Sequence, residues 1–112
     1  MICDFKGISN YNLLNNCIEL NDMLEKICDK YNFQILGKQE HVFVPIGCSI
    51  IFLLSESHIS IHTFPEKNHM SFDIYTCRQY KNNDEYLEIY NLLINELQAS
   101  HDSKYTIINR YF

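Results

Sequence analysis

The sequence predicts an α+β domain in two layers: a mainly antiparallel sheet with two helices on one face, and the other sheet face pairing in a dimer. Two segments with helical periodicity flank the middle of the chain, which is rich in alternating β-branched and aromatic residues. A four-residue turn separates two of these alternating runs. We expect one domain over residues 1–112, because no linker, repeat or low-complexity stretch divides the chain.

The first helix is predicted over residues 11–31, after a short strand over residues 1–6. Apolar residues recur in this helix at steps of three and four, with charged and amide side chains between them, as is typical of an amphipathic helix. Ser9 or Asn10 can cap its start. The apolar stripe consists of Leu13, Cys17, Leu20, Leu24, Ile27 and Tyr31.

The second helix is predicted over residues 84–98, followed by a last strand over residues 104–112. Asn82 precedes this helix as its cap, and Glu85 follows three residues later, which is the spacing of a capping box. The buried face is expected to consist of Tyr86, Ile89, Tyr90, Leu93 and Leu97.

Residues 33–77 are predicted to be mostly strands. The last two strands of this stretch are predicted to form an antiparallel hairpin. Its strands cover residues 57–64 and 69–77, with a turn over residues 65–68. Alternation places the apolar residues on one face and the polar residues on the other, which fixes the register. The expected pairs are Phe64 with His69, His62 with Ser71, Ser60 with Asp73, His58 with Tyr75, and Glu56 with Cys77.

Composition and charge argue against several classes of partner. Nine Lys and Arg against fourteen Asp and Glu give a net charge of -5, so nucleic acid is not expected to bind. The longest apolar run, Ile50–Leu54, is far shorter than the ~20 residues of a membrane helix, and residues 1–6 lack the pattern of a signal sequence. Five cysteines without a CxxC motif favour reduced thiols and a cytoplasmic location.

The polar face of the predicted hairpin carries side chains that could perform chemistry. His58, His62, His69 and Cys77 are of the types that bind zinc, although they form no compact ligand pair. Cys77 and His62 could instead be a nucleophile and its base. A hydrogen-bonded polar cluster is the ordinary interpretation of such residues, and the residues alone leave these alternatives open.

Self-cleavage between Glu56 and Ser57 is a further interpretation, in which the Ser57 hydroxyl attacks the carbonyl before it. That reaction needs a strained peptide, a donor to the oxyanion and a nearby acid or base. A polar strand end is the ordinary interpretation of such a Ser-Glu-Ser run. The side chains available to assist are Ser49, Ser55, His58 and His62.

The run VPIGCSIIFLLSESHISIHTFPE, followed by SFDIYTC, resembles the processing and active-site core of the small prokaryotic-type S-adenosylmethionine decarboxylases. The resemblance is strongest from His41 to Cys77, and it depends mainly on SESHISIHTFPE with a Cys twenty residues after its second Ser. The sequence departs from the family pattern at Ile50, Phe64 and Arg78, where Gly, Trp and Gly are common.

The resemblance implies a pyruvoyl-dependent proenzyme that cuts itself between Glu56 and Ser57. The products are a β chain of residues 1–56 and an α chain of residues 57–112, with Ser57 converted into the pyruvoyl group. The substrate amine forms a Schiff base with this group, which accepts electrons as carbon dioxide leaves. No metal and no pyridoxal phosphate is expected.

The other site residues are also implied by the resemblance. His62 corresponds to the histidine that serves processing, Ser49 to the serine that supports it, and Cys77 to the acid that returns a proton to the substrate carbon. Phe43 and Phe5 correspond to aromatic residues that stack on adenine. Glu66 corresponds to the residue that binds the ribose hydroxyls, and Glu56 lies beside the substrate.

The implied activity is decarboxylation of S-adenosylmethionine for spermidine biosynthesis, by a homodimer of cleaved chains. Two alternatives remain from the sequence. The same scaffold could decarboxylate another basic amino acid, arginine or ornithine, or the chain could be an unprocessed regulatory homologue.

Overall fold

The structure is a computed structural model that describes residues 1–110. Within this range the strands form one antiparallel sheet in the order β2-β3-β4-β5-β1-β6. None of the helices in this range is long and apolar enough to cross a membrane. In chain order the elements are β1 (Ile2–Phe5), α1 (Tyr11–Leu14), α2 (Cys17–Lys30), β2 (Ile35–Val42), β3 (Cys48–Leu54), β4 (Ser57–Phe64), a 3-10 turn (Pro65–Lys67), β5 (His69–Tyr75), α3 (Asp84–Leu97) and β6 (Lys104–Thr106).

The single helix predicted over residues 11–31 is wrong in one respect, because the structure divides it into α1 and α2. Asn16 starts the second helix: its side chain accepts a hydrogen bond from the Glu19 backbone N–H at 3.1 Å. Asn10 caps α1 in the same way through the Leu13 N–H, as predicted. Asparagine is favoured at such caps because its side chain replaces a missing backbone acceptor.

The second predicted helix is confirmed as α3, with a small difference at its start. Asn83 is the capping residue by backbone position, whereas the Asn82 side chain accepts the Asp84 N–H at 3.0 Å. The helix ends at Leu97, because Gln98 adopts a left-handed conformation with φ +51°.

The hairpin register predicted from alternation is confirmed over its whole ladder. Phe64 pairs with His69 and His58 with Tyr75, and the pairs between them follow the same register. The second strand ends at Tyr75 instead of Cys77, because its ladders with β4 and β1 end at the pairs of Tyr75 with His58 and of Asp73 with Ile2. The Thr76 hydroxyl then lies 2.7 Å from the Tyr86 hydroxyl of α3.

The last strand is shorter than predicted. It pairs only with β1, and the pair between Ile2 and Thr106 is the last that the short β1 can provide. Residues 107–110 therefore continue without a ladder, and residues 111 and 112 of the predicted strand lie outside the described residues.

The two faces of the sheet differ sharply. One face packs against the helices, and its core includes Phe5, Ile50, Phe52, Ile59, Ile61, Met70 and Phe72. The opposite face, here called the open face, leaves Ile51 47% and Leu53 57% exposed beside polar side chains. The predicted two-layer α+β architecture is confirmed, with the helices on one face of the sheet.

Candidate active site

The turn between β3 and β4 is strained at the peptide that precedes Ser57. Leu54 pairs with Ser57, so only Ser55 and Glu56 form the turn. Two-residue hairpins that match strand twist need a positive φ at the first turn residue. Here the positive φ, +57°, belongs to the second, Glu56. A side chain in that conformation costs about 1–2 kcal/mol, so the turn stores strain next to the Glu56–Ser57 bond.

Cys77 closes over this junction from the end of β5. Its backbone N–H donates to the Ser57 hydroxyl at 3.3 Å, and its thiol donates to the Glu56 carboxylate at 3.4 Å. The Ser57 side chain is only 7% exposed. The structure thus brings Glu56, Ser57 and Cys77 together, as the hairpin register predicts. We call these three residues the junction cluster.

Ser49 and His62 form a second cluster at the other end of the same strands. They are cross-strand partners on the open face, and Ser49 Oγ lies 2.7 Å from His62 Nδ1. His62 is five residues from Ser57, which is about 16 Å along a strand and places the two side chains on opposite faces. The structure therefore does not bring this serine–histidine pair to the junction of its own chain.

Two interpretations of the sequence are wrong, because the side chains that they combine lie far apart. Cys77 and His62 are not a nucleophile and base pair within one chain, because they lie at opposite ends of the hairpin. The four candidate zinc ligands do not converge either, and no group of three His, Cys, Asp or Glu in residues 1–110 is arranged to hold a metal ion.

The residues expected to contact substrate fall into two sets. Phe43 follows the end of β2 and is half-exposed, with its ring 4.6 Å from that of His41. Glu66 is exposed in the turn after β4, at the same end of the sheet as His62. The expectation for Phe5 is wrong: its side chain is 0% exposed and its ring stacks on Tyr90 at 5.3 Å, on the helix side of the sheet.

The sequence of the chain matches a known protein family. Residues 1–110 match the sequence profile of the family described as S-adenosylmethionine decarboxylase. The chain belongs to this family. Its curated relatives include an S-adenosylmethionine decarboxylase proenzyme of Clostridium botulinum, 40% identical over 77 residues, and proenzyme 2 of Bacillus cereus, 39% identical over 77 residues. These matches cover 69% of this chain and only 66% and 62% of the two relatives, just under two thirds of their length.

The fold of this decarboxylase-family chain also matches a solved structure. The crystal structure of the adenosylmethionine decarboxylase from Aquifex aeolicus superposes with a TM-score of 0.76. The superposition covers 99% of this chain and 92% of that chain, at 23% identity. The likeness extends over the whole domain and concerns its fold.

Sequence reasoning missed one set of contacts beside the junction cluster, those of Arg78. Arg78 donates to the backbone carbonyls of Tyr31 and Asn32, across 47 and 46 residues of chain. Nothing in the local sequence connects positions so far apart. The rings of His58 and Tyr75, which the hairpin register predicts as a cross-strand pair, stack at 5.5 Å.

An open groove lies beside the end of the sheet that carries the junction cluster. Its volume is about 910 Å³, and its lining includes His58, Tyr75, Arg78 and Arg110. The Arg110 guanidinium lies 4.9 Å from the centre of the Tyr75 ring. The groove therefore adjoins the residues that flank both Ser57 and Cys77.

Three thiols away from the junction, those of Cys3, Cys17 and Cys28, are held in their protonated form. Burial raises the pKa of Cys3 to about 12 and that of Cys28 to about 11. Burial, with smaller effects from neighbouring Cys48 and Glu40, raises the pKa of Cys17 to about 12. All five cysteines are free.

Proposed function

We propose that this family member is a self-processing, pyruvoyl-dependent decarboxylase. It cuts itself between Glu56 and Ser57 and then converts S-adenosylmethionine into decarboxylated S-adenosylmethionine, which serves spermidine biosynthesis. The observation that carries the proposal is the strained junction, with the buried Ser57 hydroxyl and the Cys77 thiol held against it. The names of the two curated relatives, both S-adenosylmethionine decarboxylase proenzymes, support the same reaction.

Cleavage begins at the Ser57 hydroxyl. Its oxygen bonds to the Glu56 carbonyl carbon, the peptide C–N bond breaks, and the hydroxyl proton moves to the freed nitrogen, so the peptide becomes an ester. Loss of the Ser57 α-proton then breaks the bond between the ester oxygen and the side-chain carbon of Ser57. The main-chain carbonyl of Glu56 leaves as a carboxylate that keeps the former hydroxyl oxygen. Water hydrolyses the remaining residue, which releases ammonia and leaves the pyruvoyl group. Relief of the strain at Glu56 favours the first step.

The mature site divides two tasks between Ser57 and Cys77. The pyruvoyl carbonyl made from Ser57 supplies an electron acceptor for decarboxylation, which pyridoxal phosphate provides in other enzymes. Cys77 lies at the junction with its thiol proton, and we assign it the return of a proton to the substrate carbon. In the uncut chain, the Glu56 carboxylate accepts the hydrogen bond of that thiol.

We further propose that two copies complete each site. The Ser49–His62 pair lies about 16 Å along β4 from its own Ser57, so we assign it to the junction cluster of a second copy. The two copies pack open face to open face about a two-fold axis that crosses β4 near Ser60. The Ser57 end of one β4 then lies over the His62 end of the other. The serine–histidine pair of the other copy then lies on the open side of each junction, opposite the face to which the Ser57 side chain points, and the two open faces bury Ile51 and Leu53.

The substrate's adenosyl group is assigned to the same end as Ser49 and His62. Phe43 is exposed there and can stack on adenine, an interaction worth about 1–3 kcal/mol per base. Aromatic faces also attract the positive sulfonium. Glu66 offers acceptors for the ribose hydroxyls. The five free cysteines fit a reducing compartment, and we propose the cytoplasm as the location.

Purified protein tests the proposal directly. We expect two fragments, residues 1–56 and 57–112, on a denaturing gel, and a carbonyl on the second fragment that reacts with hydroxylamine. Ser57→Ala should stay in one piece and have no activity. Carbon dioxide release should be fastest with S-adenosylmethionine when arginine and ornithine are offered in parallel. An intact wild-type chain with an unmodified Ser57 overturns the proposal in favour of an unprocessed homologue.

A further inference from the structure

Cys77 lies beyond the regular hydrogen bonding of the sheet. The last ladder pair of β5 joins Tyr75 to His58, two residues before Cys77. Its position therefore depends on a few specific contacts. Two of them are the hydrogen bonds to the Ser57 hydroxyl and to the Glu56 carboxylate.

Both of these contacts involve groups that the proposed cleavage changes. The Ser57 hydroxyl oxygen leaves with the carbonyl of Glu56, so the bond from the Cys77 N–H loses its acceptor. Glu56 becomes a free chain end and is no longer tied to Ser57. The contacts that hold Cys77 in the precursor therefore cannot hold it in the same way in the mature protein.

Two neighbours of Cys77 are anchored independently of the junction. On one side, the Thr76 hydroxyl lies 2.7 Å from the Tyr86 hydroxyl of α3. On the other side, the Arg78 guanidinium donates to the carbonyls of Tyr31 and Asn32. Cys77 is thus suspended between two attachments that cleavage leaves intact.

The Arg78 attachment has strong physical reasons. Tyr31 and Asn32 follow the last residue of α2, where carbonyls lack helical partners and the helix dipole favours a cation. The planar guanidinium can donate to two carbonyls at once, which a lysine ammonium does with less order. Its central carbon also lies 4.2 Å from the centre of the Phe33 ring.

This attachment also joins the two halves of the cut chain. Arg78 belongs to the fragment 57–112, whereas Tyr31, Asn32 and Phe33 belong to the fragment 1–56. The same loop supports the scissile turn, because the Gln34 carbonyl accepts the Ser55 N–H at 3.0 Å. Arg78 therefore ties the Cys77 segment to the loop that carries the other side of the junction.

We infer that Arg78 is a positioning residue that holds the Cys77 thiol at the reacting centre after self-cleavage. The inference rests on the proposed function. Arg78 binds backbone carbonyls and acts on the reaction through Cys77. Its removal should therefore affect the mature enzyme far more than the cleavage that produces it.

The test compares Arg78→Ala and Arg78→Lys with wild type, and Lys81→Ala serves as the control for loss of an exposed cation on the same loop. Three quantities are measured: the fraction of cleaved chain, kcat and KM for S-adenosylmethionine, and the rate at which iodoacetamide alkylates Cys77 at pH 8. Peptide masses identify the alkylated thiol. The other thiols should react slowly, because Cys3, Cys28 and Cys48 are buried and the pKa of Cys17 is raised.

For Arg78→Ala we expect cleavage within about twofold of wild type, kcat lower by at least about tenfold, and a KM changed by less than about threefold. Cys77 should be alkylated several times faster, because its segment is released. Arg78→Lys keeps the charge and the aliphatic stem, so it should lie between Arg78→Ala and wild type. It also carries the test if the alanine variant does not fold. Lys81→Ala should match wild type.

Different failures have different meanings. Unchanged kcat and alkylation in both Arg78 variants overturn the inference, while the proposed function stands on the wild-type result. Cleavage blocked in Arg78→Ala, or an equal loss in Lys81→Ala, also overturns it. A wild-type chain that neither cleaves nor decarboxylates overturns the proposed function, and the inference with it.

Discussion

At the scale of single residues, Cys77 distinguishes the proposed processing from the proposed turnover. Its thiol contacts the carboxylate of Glu56, and nothing in the cleavage chemistry requires a proton from sulfur. Cys77→Ala should therefore leave cleavage within about threefold of wild type, whereas loss of a proton donor should lower kcat by about 100-fold or more. Gel densitometry and a carbon dioxide release assay measure the two effects.

Cys17→Ala is the matched control for this prediction, because Cys17 is also a half-buried free thiol but lies at the start of α2, away from the junction. It should keep both cleavage and kcat. If Cys77→Ala remains uncut, Cys77 acts in processing and its assignment as the proton donor of turnover is wrong.

The sequence predicted single-residue positions well only where a strand pattern determined them. The alternation of polar and apolar residues placed Cys77 beside Glu56, because a shift by one residue would have buried the polar set. Phe5 was misassigned because a strand residue faces either side, and its pairing with Met70 put it on the core face. Arg78 was missed because its partners are set by the tertiary fold.

At the scale of elements, the β3–β4 turn places backbone strain at the peptide bond of the proposed cleavage. Glycine at position 56 would adopt φ +57° without the clash that Glu56 suffers, whereas alanine would keep that clash. We expect Glu56→Gly to cleave at least about fivefold more slowly than Glu56→Ala, since each 1.4 kcal/mol changes a rate about tenfold. Both variants lack the carboxylate, so their ratio isolates the strain. Time courses of cleavage after refolding provide the rates.

Gln98→Gly provides the control for this prediction, because Gln98 has a similar positive φ of +51° at the end of α3. Like Glu56→Gly, it should raise the free energy of unfolding by about 0.5–1 kcal/mol after the extra chain entropy of glycine is subtracted. It should leave the cleavage rate unchanged. Equal cleavage by Glu56→Gly and Glu56→Ala would show that strain does not drive the reaction.

The break between α1 and α2 allows a test of stability alone. Removal of the Asn16 side chain leaves the Glu19 N–H without its acceptor, so Asn16→Ala should lower the free energy of unfolding by about 1 kcal/mol. Asn83 occupies the same capping position in α3 but makes no capping hydrogen bond through its side chain. Asn83→Ala should therefore cost less than about 0.5 kcal/mol.

Urea unfolding of the Ser57→Ala precursor, at one fixed protein concentration, keeps the chain in one piece and makes the two values comparable. Equal losses in the two variants would contradict the role of the Asn16 cap.

The same cap explains the error in the first predicted helix. Apolar periodicity continues from Leu13 through Cys17 to Leu20, so it gives no sign of the interruption. The signal lay instead in the adjacent Asn15 and Asn16, each of which can bond to nearby backbone.

At the scale of the whole molecule, the open face is the surface that we propose for a second copy. Burial of a large apolar side chain contributes roughly 1.5–3 kcal/mol, which Ile51 and Leu53 do not gain in the single chain. The molecule measures 41 × 31 × 22 Å, so its broad face can supply the ~800 Å² per partner of a stable interface. The sequence predicts a dimer from the polar and aromatic side chains of this face, but it does not suggest that the proposed site is divided between two copies. The proposal of a divided site arises only from the length of β4, which separates His62 from Ser57.

Complementation between two defective chains tests the shared site. Ser57→Ala keeps Ser49 and His62 but has no nucleophile, whereas His62→Ala keeps Ser57 and Cys77 but lacks the histidine. Expressed alone, each should remain uncut. In a mixed dimer, one junction combines the intact Ser57 of one chain with the intact His62 of the other, and the second junction is doubly defective.

When the two chains are expressed together in equal amounts with different tags, random pairing makes about half of the dimers mixed, so about half of the His62→Ala chains should be cut. The Ser57→Ala chains should stay whole in the same sample, which serves as the internal control. A His62→Ala chain paired with a Ser57→Ala, His62→Ala double variant should remain uncut, because no histidine is then available from either copy. Cleavage of the His62→Ala chain at the same level in both mixtures would mean that His62 does not act across the interface. Absence of cleavage in the first mixture, with mixed dimers recovered through both tags, would exclude a site shared between copies.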